Sequence, residues 1–213
     1  MKQIKDTTYK GCQILLGNEK RTLLNNMINI LVKEGFEEIQ LPIINYREHF
    51  KGKVGIENTS MMFTVKDNSD RDLVLAPEYT AVVQQLAKKH FKLQKDVKLF
   101  YVQECFRGEK PQTGRYRQFT QLGVEILNPS KDYTDYLIDL TDDLLQPNFP
   151  NKLFDLNVNV TRGLDYYKDG KGFEYSIKIK PEDGEERDLQ LVGGGEYDGG
   201  IGFAIGIDRL LIL

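Results

Sequence analysis

Two long strand-forming runs separated by a short cationic loop constrain this chain more than any other feature. Residues 98–107 (KLFYVQECFR) and 117–127 (RQFTQLGVEIL) are rich in aromatic and branched side chains, and the intervening GEKPQTGRY is polar and turn-prone. So short a connection between such runs predicts a long antiparallel hairpin. Along the second run, a period of two places Thr120, Leu122, Val124 and Ile126 on one face. Phe119, Gln121, Gly123 and Glu125 share the other. The first face reads as core. The second sets a carboxamide and a carboxylate in line, with a glycine between them that leaves room for something to sit close. An unpaired buried carboxylate is costly, so this face is either an exposed sheet surface or the floor of a polar site. Arg107, Lys110, Arg115 and Arg117 crowd the adjoining loop, with the acidic Glu109 among them. On a bare hairpin tip such cations only solubilise. Beside an amide–carboxylate floor, guanidinium forks suggest a site for a triphosphate next to a cationic or polar ligand.

The remaining segments arrange themselves around this hairpin. Residues 18–34 carry Leu23, Leu24, Met27, Ile28 and Leu31 at helical spacing, with Gly35 as the stop. A strand is expected at 36–42, ending at Pro42, and a strand pair at 61–65 and 72–76. Pro77 suits the opening of a helix running to about His90, with Val82, Val83, Leu86 and Ala87 inward. Residues 131–145 return to helical spacing, 146–151 (QPNFPN) form a connector, and 153–160 alternate as a strand. A further hairpin is expected to turn at residues 169–172 before Phe173, and the chain closes on a glycine-rich strand and a helix. Strands joined mostly by hairpins predict an α+β fold, a mainly antiparallel sheet with helices packed on it.

The 213 residues suffice for one domain, with 40% hydrophobic and 29% charged residues. No apolar run is long enough to span a bilayer, and the first residues lack a signal-peptide core. Cys12 and Cys105 are far apart and read as free thiols in a reducing, cytoplasmic setting. A net charge of -3 argues against a protein devoted to wrapping nucleic acid. The local cluster of Lys88, Lys89, His90, Lys92, Lys95 and Lys98 is either a solvated helix end or an RNA-backbone contact.

Residues 106–125, FRGEKPQTGRYRQFTQLGVE, resemble the second signature motif of histidyl-tRNA synthetases, which are class II aminoacyl-tRNA synthetases. Three other segments are similar to the same family in the same order: LAPEYTA (75–81), TRGLDYY (161–167) and GGGEYDGGIGFAIGIDRLLIL (193–213). GFEEIQLP (35–42) looks like its first motif. The resemblance implies a catalytic core that joins histidine and ATP as an adenylate, with possible transfer to tRNA. It puts Arg107 and Arg162 at the α-phosphate, and Arg115 and Arg209 near the γ-phosphate, with Glu109 and Phe119 also at the nucleotide. Glu78 and Thr80 would take the histidine ammonium group, and Gln121, Glu125, Tyr166, Tyr167 and Tyr197 would line its side-chain pocket. It further implies Mg²⁺ on the pyrophosphate and a homodimer formed around Pro42.

The chain also departs from the family pattern. A short connection at about 128–152 stands in place of the family's insertion domain, and the sequence stops inside or just after the third motif, where the family's anticodon-binding domain would be expected to follow. Asn45 occupies a position that is commonly acidic, and Glu196 one where an arginine is usual. Two other classes of function therefore stay open beside the enzyme. One is a non-catalytic histidine-binding module, like the regulatory subunit of ATP phosphoribosyltransferase; the other is a structural or dimerisation partner.

Overall fold

Helical and strand periodicities in the chain resolve into a central sheet with a different layer on each face. The computed structural model describes residues 2–4, 9–51, 59–161, 167–181 and 184–213. In chain order these form β1 (Lys2–Ile4), β2 (Ile14–Leu16), α1 (Glu19–Lys33), β3 (Glu37–Glu38) and β4 (Ile44–Tyr46). A 3-10 turn at Arg47–His49 leads to β5 (Thr64–Lys66), β6 (Asp72–Leu75) and α2 (Thr80–Lys89). Then come β7 (Val97–Phe106), β8 (Gln118–Leu127), α3 (Thr134–Leu145) and β9 (Asp155–Val160). The described chain closes with β10 (Tyr167–Ile179), β11 (Arg187–Tyr197), β12 (Gly200–Gly206) and α4 (Ile207–Leu210).

Seven strands make the main sheet in the order β3-β7-β8-β12-β11-β10-β9. All neighbours are antiparallel except β3 with β7. The fold is α+β, as the sequence predicts. β7 and β8 form the expected hairpin in unbroken register, with Leu99 opposite Glu125 and Gln103 opposite Gln121. One face of the sheet is apolar because Leu122, Val124 and Ile126 of β8 meet α1 and α3 there; Leu23, Leu24, Met27, Leu31, Leu137 and Leu144 complete that core. The other face carries α2 and the small sheet β4-β6-β5, packed through Val74, Tyr79, Val83, Ala87, Leu99 and Tyr101. This second layer covers only part of the face, and the polar row of β8 lies on that side.

Three boundaries differ from expectation, each for a local reason. The strand expected at 36–42 pairs only at Glu37–Glu38, against Leu99 and Phe100; Ile39 N–H adds one bond to Phe100 O. Pro42 has no N–H to extend it. α2 begins at Thr80 rather than Pro77. The Pro77 carbonyl accepts a bond from Arg107, and the Glu78 carboxylate accepts from Ala81 N–H, capping the helix from two residues before its start. The turn expected at 169–172 is instead a bulge within β10, whose pairing with β11 shifts register between Tyr167 and Gly172. Gly170, at φ +66°, allows the backbone to bend there.

The layering predicts opposite outcomes at adjacent positions of α1. Leu31 is fully buried against the sheet, whereas Val32 is 58% exposed. Leu31→Ala is expected to cost roughly 2–5 kcal/mol in urea unfolding, and Val32→Ala to stay within about 0.5 kcal/mol of the parent.

Candidate active site

The uncovered part of the β8 face opens into a cavity. Its lining includes Glu78 and Thr80 at the start of α2, Arg107, Glu109, Arg115 and Phe119 from the hairpin, Gln121, Tyr167 and Arg209. Nine residues singled out in the sequence thus come together from four separate stretches of chain. Arg162 and Tyr166 lie outside the described residues. Glu125 and Tyr197 lie just beneath, linked to the lining through Thr80.

Backbone carbonyls hold Arg107 and Arg209. The Arg107 side chain donates through Nε to Pro77 O at 2.8 Å, and its guanidinium lies 5.1 Å from the centroid of the Phe119 ring. Arg209 donates through Nε to Gly114 O at 2.8 Å and through Nη1 to Gln190 O at 2.6 Å, tying α4 to both the hairpin loop and β11. Burial lowers its pKa first, and the nearby charges of Arg107 and Arg115 lower it further, against an opposing pull from Glu109. Guanidinium groups gathered in excess of their counter-charges suit a polyanion. Arg115 is the freest of the three, 4.0 Å from Glu109 Oε2 and more than half exposed. Arg117 plays a different part. It donates to Glu109 O and Lys10 O and stacks on Tyr9, so it braces the loop rather than facing the cavity.

The floor beneath is acidic and buried. Glu125 is almost completely buried, accepting from Tyr197 Oη at 2.7 Å and Thr80 Oγ1 at 3.3 Å. Burial raises its pKa to about 8, with the Glu78 carboxylate adding to the rise and the Tyr197 and Thr80 bonds opposing it. Gly202, opposite Glu125 on β12, makes room for this carboxylate: a Cβ there would stand 2.0 Å from Oε2. The Gln121 carboxamide oxygen accepts from the buried Cys105 thiol at 3.1 Å, which fixes the amide's orientation. Tyr167 packs edge-on against Tyr197 at 6.4 Å.

Sequence reasoning missed several contributors. Pro77, Gly114 and Gln190 act through carbonyls, which leave no side-chain signature. Asp208, beside Arg209, was legible in principle as a carboxylate next to a key cation. It is buried, accepts from Thr120 N–H, and pairs with Lys20 of α1 at 3.3 Å. The family departures have local explanations: Asn45 is buried and donates to Pro42 O at 2.7 Å, and Glu196 pairs with Lys168. Of the lysine cluster, Lys88 pairs with Asp198 at 2.6 Å, and Lys98 donates to Glu34 O and the Tyr136 hydroxyl. Lys89, His90, Lys92 and Lys95 are exposed. Cys12 and Cys105 form no disulfide. Among the described residues, no helix is long and apolar enough to cross a membrane.

A pH dependence follows from the floor. Unfolded, Glu125 titrates near its ordinary value of 4.5; folded, it titrates at about 8. Between those values the folded state keeps a proton that the unfolded state has released, so this group's contribution to stability falls as pH rises and levels off above 8. Melting temperatures of the ligand-free protein at pH 5, 7 and 9 are expected to show this decline in the parent and a flatter profile in Glu125→Gln.

The family model described as histidyl-tRNA synthetase matches residues 17–146. The histidine–tRNA ligase of Ureaplasma urealyticum serovar 10 is 38% identical over 136 residues, 61% of this chain and 32% of that protein. The ligase of Aquifex aeolicus is 37% identical over 149 residues, 65% of this chain and 37% of the relative. The chain therefore spans about a third of the length of the curated relatives it matches. The crystal structure of apo S. aureus histidyl-tRNA synthetase, 27% identical, superimposes with a TM-score of 0.77 over 98% of this chain and 70% of that one. An ATP phosphoribosyltransferase regulatory subunit/histidyl-tRNA synthetase from Bacillus halodurans, 15% identical, shares the fold with a TM-score of 0.75, over 98% of this chain and 84% of its own. On the match across residues 17–146, this chain belongs to the histidyl-tRNA synthetase family.

Proposed function

We propose that this chain binds histidine and ATP side by side in the cavity and joins them as histidyl-adenylate, releasing pyrophosphate. The observation that carries this reading is the convergence of Arg107, Arg115 and Arg209 on one cavity, with buried Glu125 beneath it. In that reaction a carboxylate oxygen attacks the α-phosphorus and pyrophosphate leaves, so the protein's task is alignment and charge stabilisation. Arg107, tethered by Pro77 and stacked on Phe119, would meet the α-phosphate together with Arg162. Arg115 and Arg209 would hold the β- and γ-phosphates. Glu78 would receive the ammonium group, and Gln121, Glu125, Tyr167 and Tyr197 would surround the imidazole with donors and acceptors. Side chains lacking ring nitrogens would leave those buried groups unpaired, which is the basis of selection.

Mg²⁺ fits this reading as a companion of the nucleotide. Such an ion takes most of its ligands from phosphate oxygens and water, and Glu109, 4.0 Å from Arg115, is a cavity carboxylate that could join them. Its chemistry there would be to neutralise the departing pyrophosphate. Transfer of the activated histidine to tRNA and a cytoplasmic location belong to the same reading. So does a homodimer about Pro42, which the exposed Ile43, Ile44 and Tyr46 beside it support.

Histidine-dependent exchange of labelled pyrophosphate into ATP tests the proposal. Exchange is expected in the parent, and Arg107→Ala should lower it by about 10²- to 10³-fold, as expected when a donor to developing charge is lost. Glu125→Ala should weaken histidine binding more than tenfold in calorimetry, through loss of a buried hydrogen-bonding partner. Histidine binding without exchange would instead favour the regulatory module.

A further inference from the structure

Lys20, in the first turn of α1, reaches the opposite end of the chain. Its ammonium donates to Thr120 Oγ1 and to Asp208 Oδ1 at 3.3 Å, with Glu104 Oε1 3.9 Å away. The Asp208 side chain is 6% exposed, whereas both partners of Lys66–Asp72 and of Lys88–Asp198 are more than half exposed. Exposed pairs contribute little to stability. A pair that includes a buried carboxylate differs, because loss of the cation leaves a charge that water cannot reach. A cation in the first turn also opposes the helix dipole, so α1 itself gives no reason for a lysine at this position.

Asp208 sits where the sheet ends and the cavity begins. α4 is a single turn, too short to hold itself, and depends on its anchors. Ile207 and Leu210 are buried in the core. Asp208 Oδ2 accepts from Thr120 N–H, one residue past the last β8–β12 pair, Gln121 with Gly206. The Arg209 stem lies over Gly206, where a Cβ would stand 3.3 Å from Cδ, and its guanidinium reaches Gly114 O and Gln190 O. Asp208 also lines the cavity, together with Arg107 and Arg209. An uncancelled carboxylate at that wall would repel a polyanion and offer the guanidinium groups a competing partner.

We propose that Lys20 is a positioning residue for polyanion binding. By pairing with Asp208 it cancels that carboxylate's charge and holds it on β8, which leaves Arg209 free to meet the phosphates. Lys20 does not line the cavity, so it acts through Asp208 and touches no ligand. The inference rests on reading the cavity as a nucleotide site.

The test is calorimetric titration of ATP with Mg²⁺, and separately of L-histidine, into the parent, Lys20→Met, Lys20→Arg and the double variant Lys20→Met/Asp208→Asn. Lys20→Met is expected to weaken ATP binding roughly tenfold, the effect of one uncancelled charge at the cavity wall, and to leave histidine binding unchanged. Lys20→Arg keeps the pair and should stay within about threefold of the parent. The double variant removes the carboxylate charge but keeps an oxygen for Thr120 N–H, and should recover ATP affinity to within about threefold of the parent. Should Lys20→Met fail to fold, the double variant still decides: parent-like ATP affinity supports the inference, and a loss of roughly tenfold overturns it. Unchanged ATP affinity in Lys20→Met overturns the inference and leaves the reading of the cavity standing. Parallel losses of ATP and histidine, or a double variant as weak as Lys20→Met, would assign Lys20 to packing alone and also overturn it. A parent chain that binds no ATP overturns the inference together with the reading of the cavity.

Discussion

A carboxylate sealed beneath a cavity dictates much of what surrounds it. Glu125 keeps two hydroxyl donors and little else, and its environment favours the protonated form to about pH 8. Removing water from an ionisable group is expensive, so the local structure is arranged to tolerate it. Gly202 yields the space for one of its oxygens, α2 starts where Thr80 can reach the other, and Tyr197 closes the strand end opposite.

The cations above that floor obey the opposite logic. They are not paired away by carboxylates; neutral carbonyls of Pro77, Gly114 and Gln190 hold Arg107 and Arg209 in place. A carbonyl orients a guanidinium without cancelling its charge. The result is positive potential that is pre-positioned rather than gathered when an anion arrives, which is the arrangement that stabilises developing charge most effectively. Arg187 adds to this by donating to Thr113 O, so that the hairpin loop is pinned from β11 as well as from α4.

How much of this was readable beforehand differed by level. The hairpin, the core face of β8 and the pairing of Gln121 with Glu125 followed from period-two alternation, because strand geometry alone decides which side chains share a face. The helix of 18–34 likewise followed from its apolar spacing. What failed were places where tertiary contacts override local signals. Pro77 looked like a helix start, yet its carbonyl is committed to Arg107. The sequence at 169–172 has the composition of a tight turn, but pairing on both sides draws it into β10 as a bulge. The backbone acceptors of the site were invisible for a simpler reason: a carbonyl's aim leaves no mark in residue type.

The string of contacts from Lys20 to Asp208, with Thr120 bonded to both and to Glu104, joins the first helix to the last across the middle of the sheet. Arg209, next along, clamps the hairpin loop. Elements made early on the ribosome thus lack their fastening until residues near 208 emerge. A nascent chain would carry the β7–β8 hairpin without the Arg209 clamp on its loop until α4 has been made, and the loop end of the cavity would take its final shape only as α4 docks.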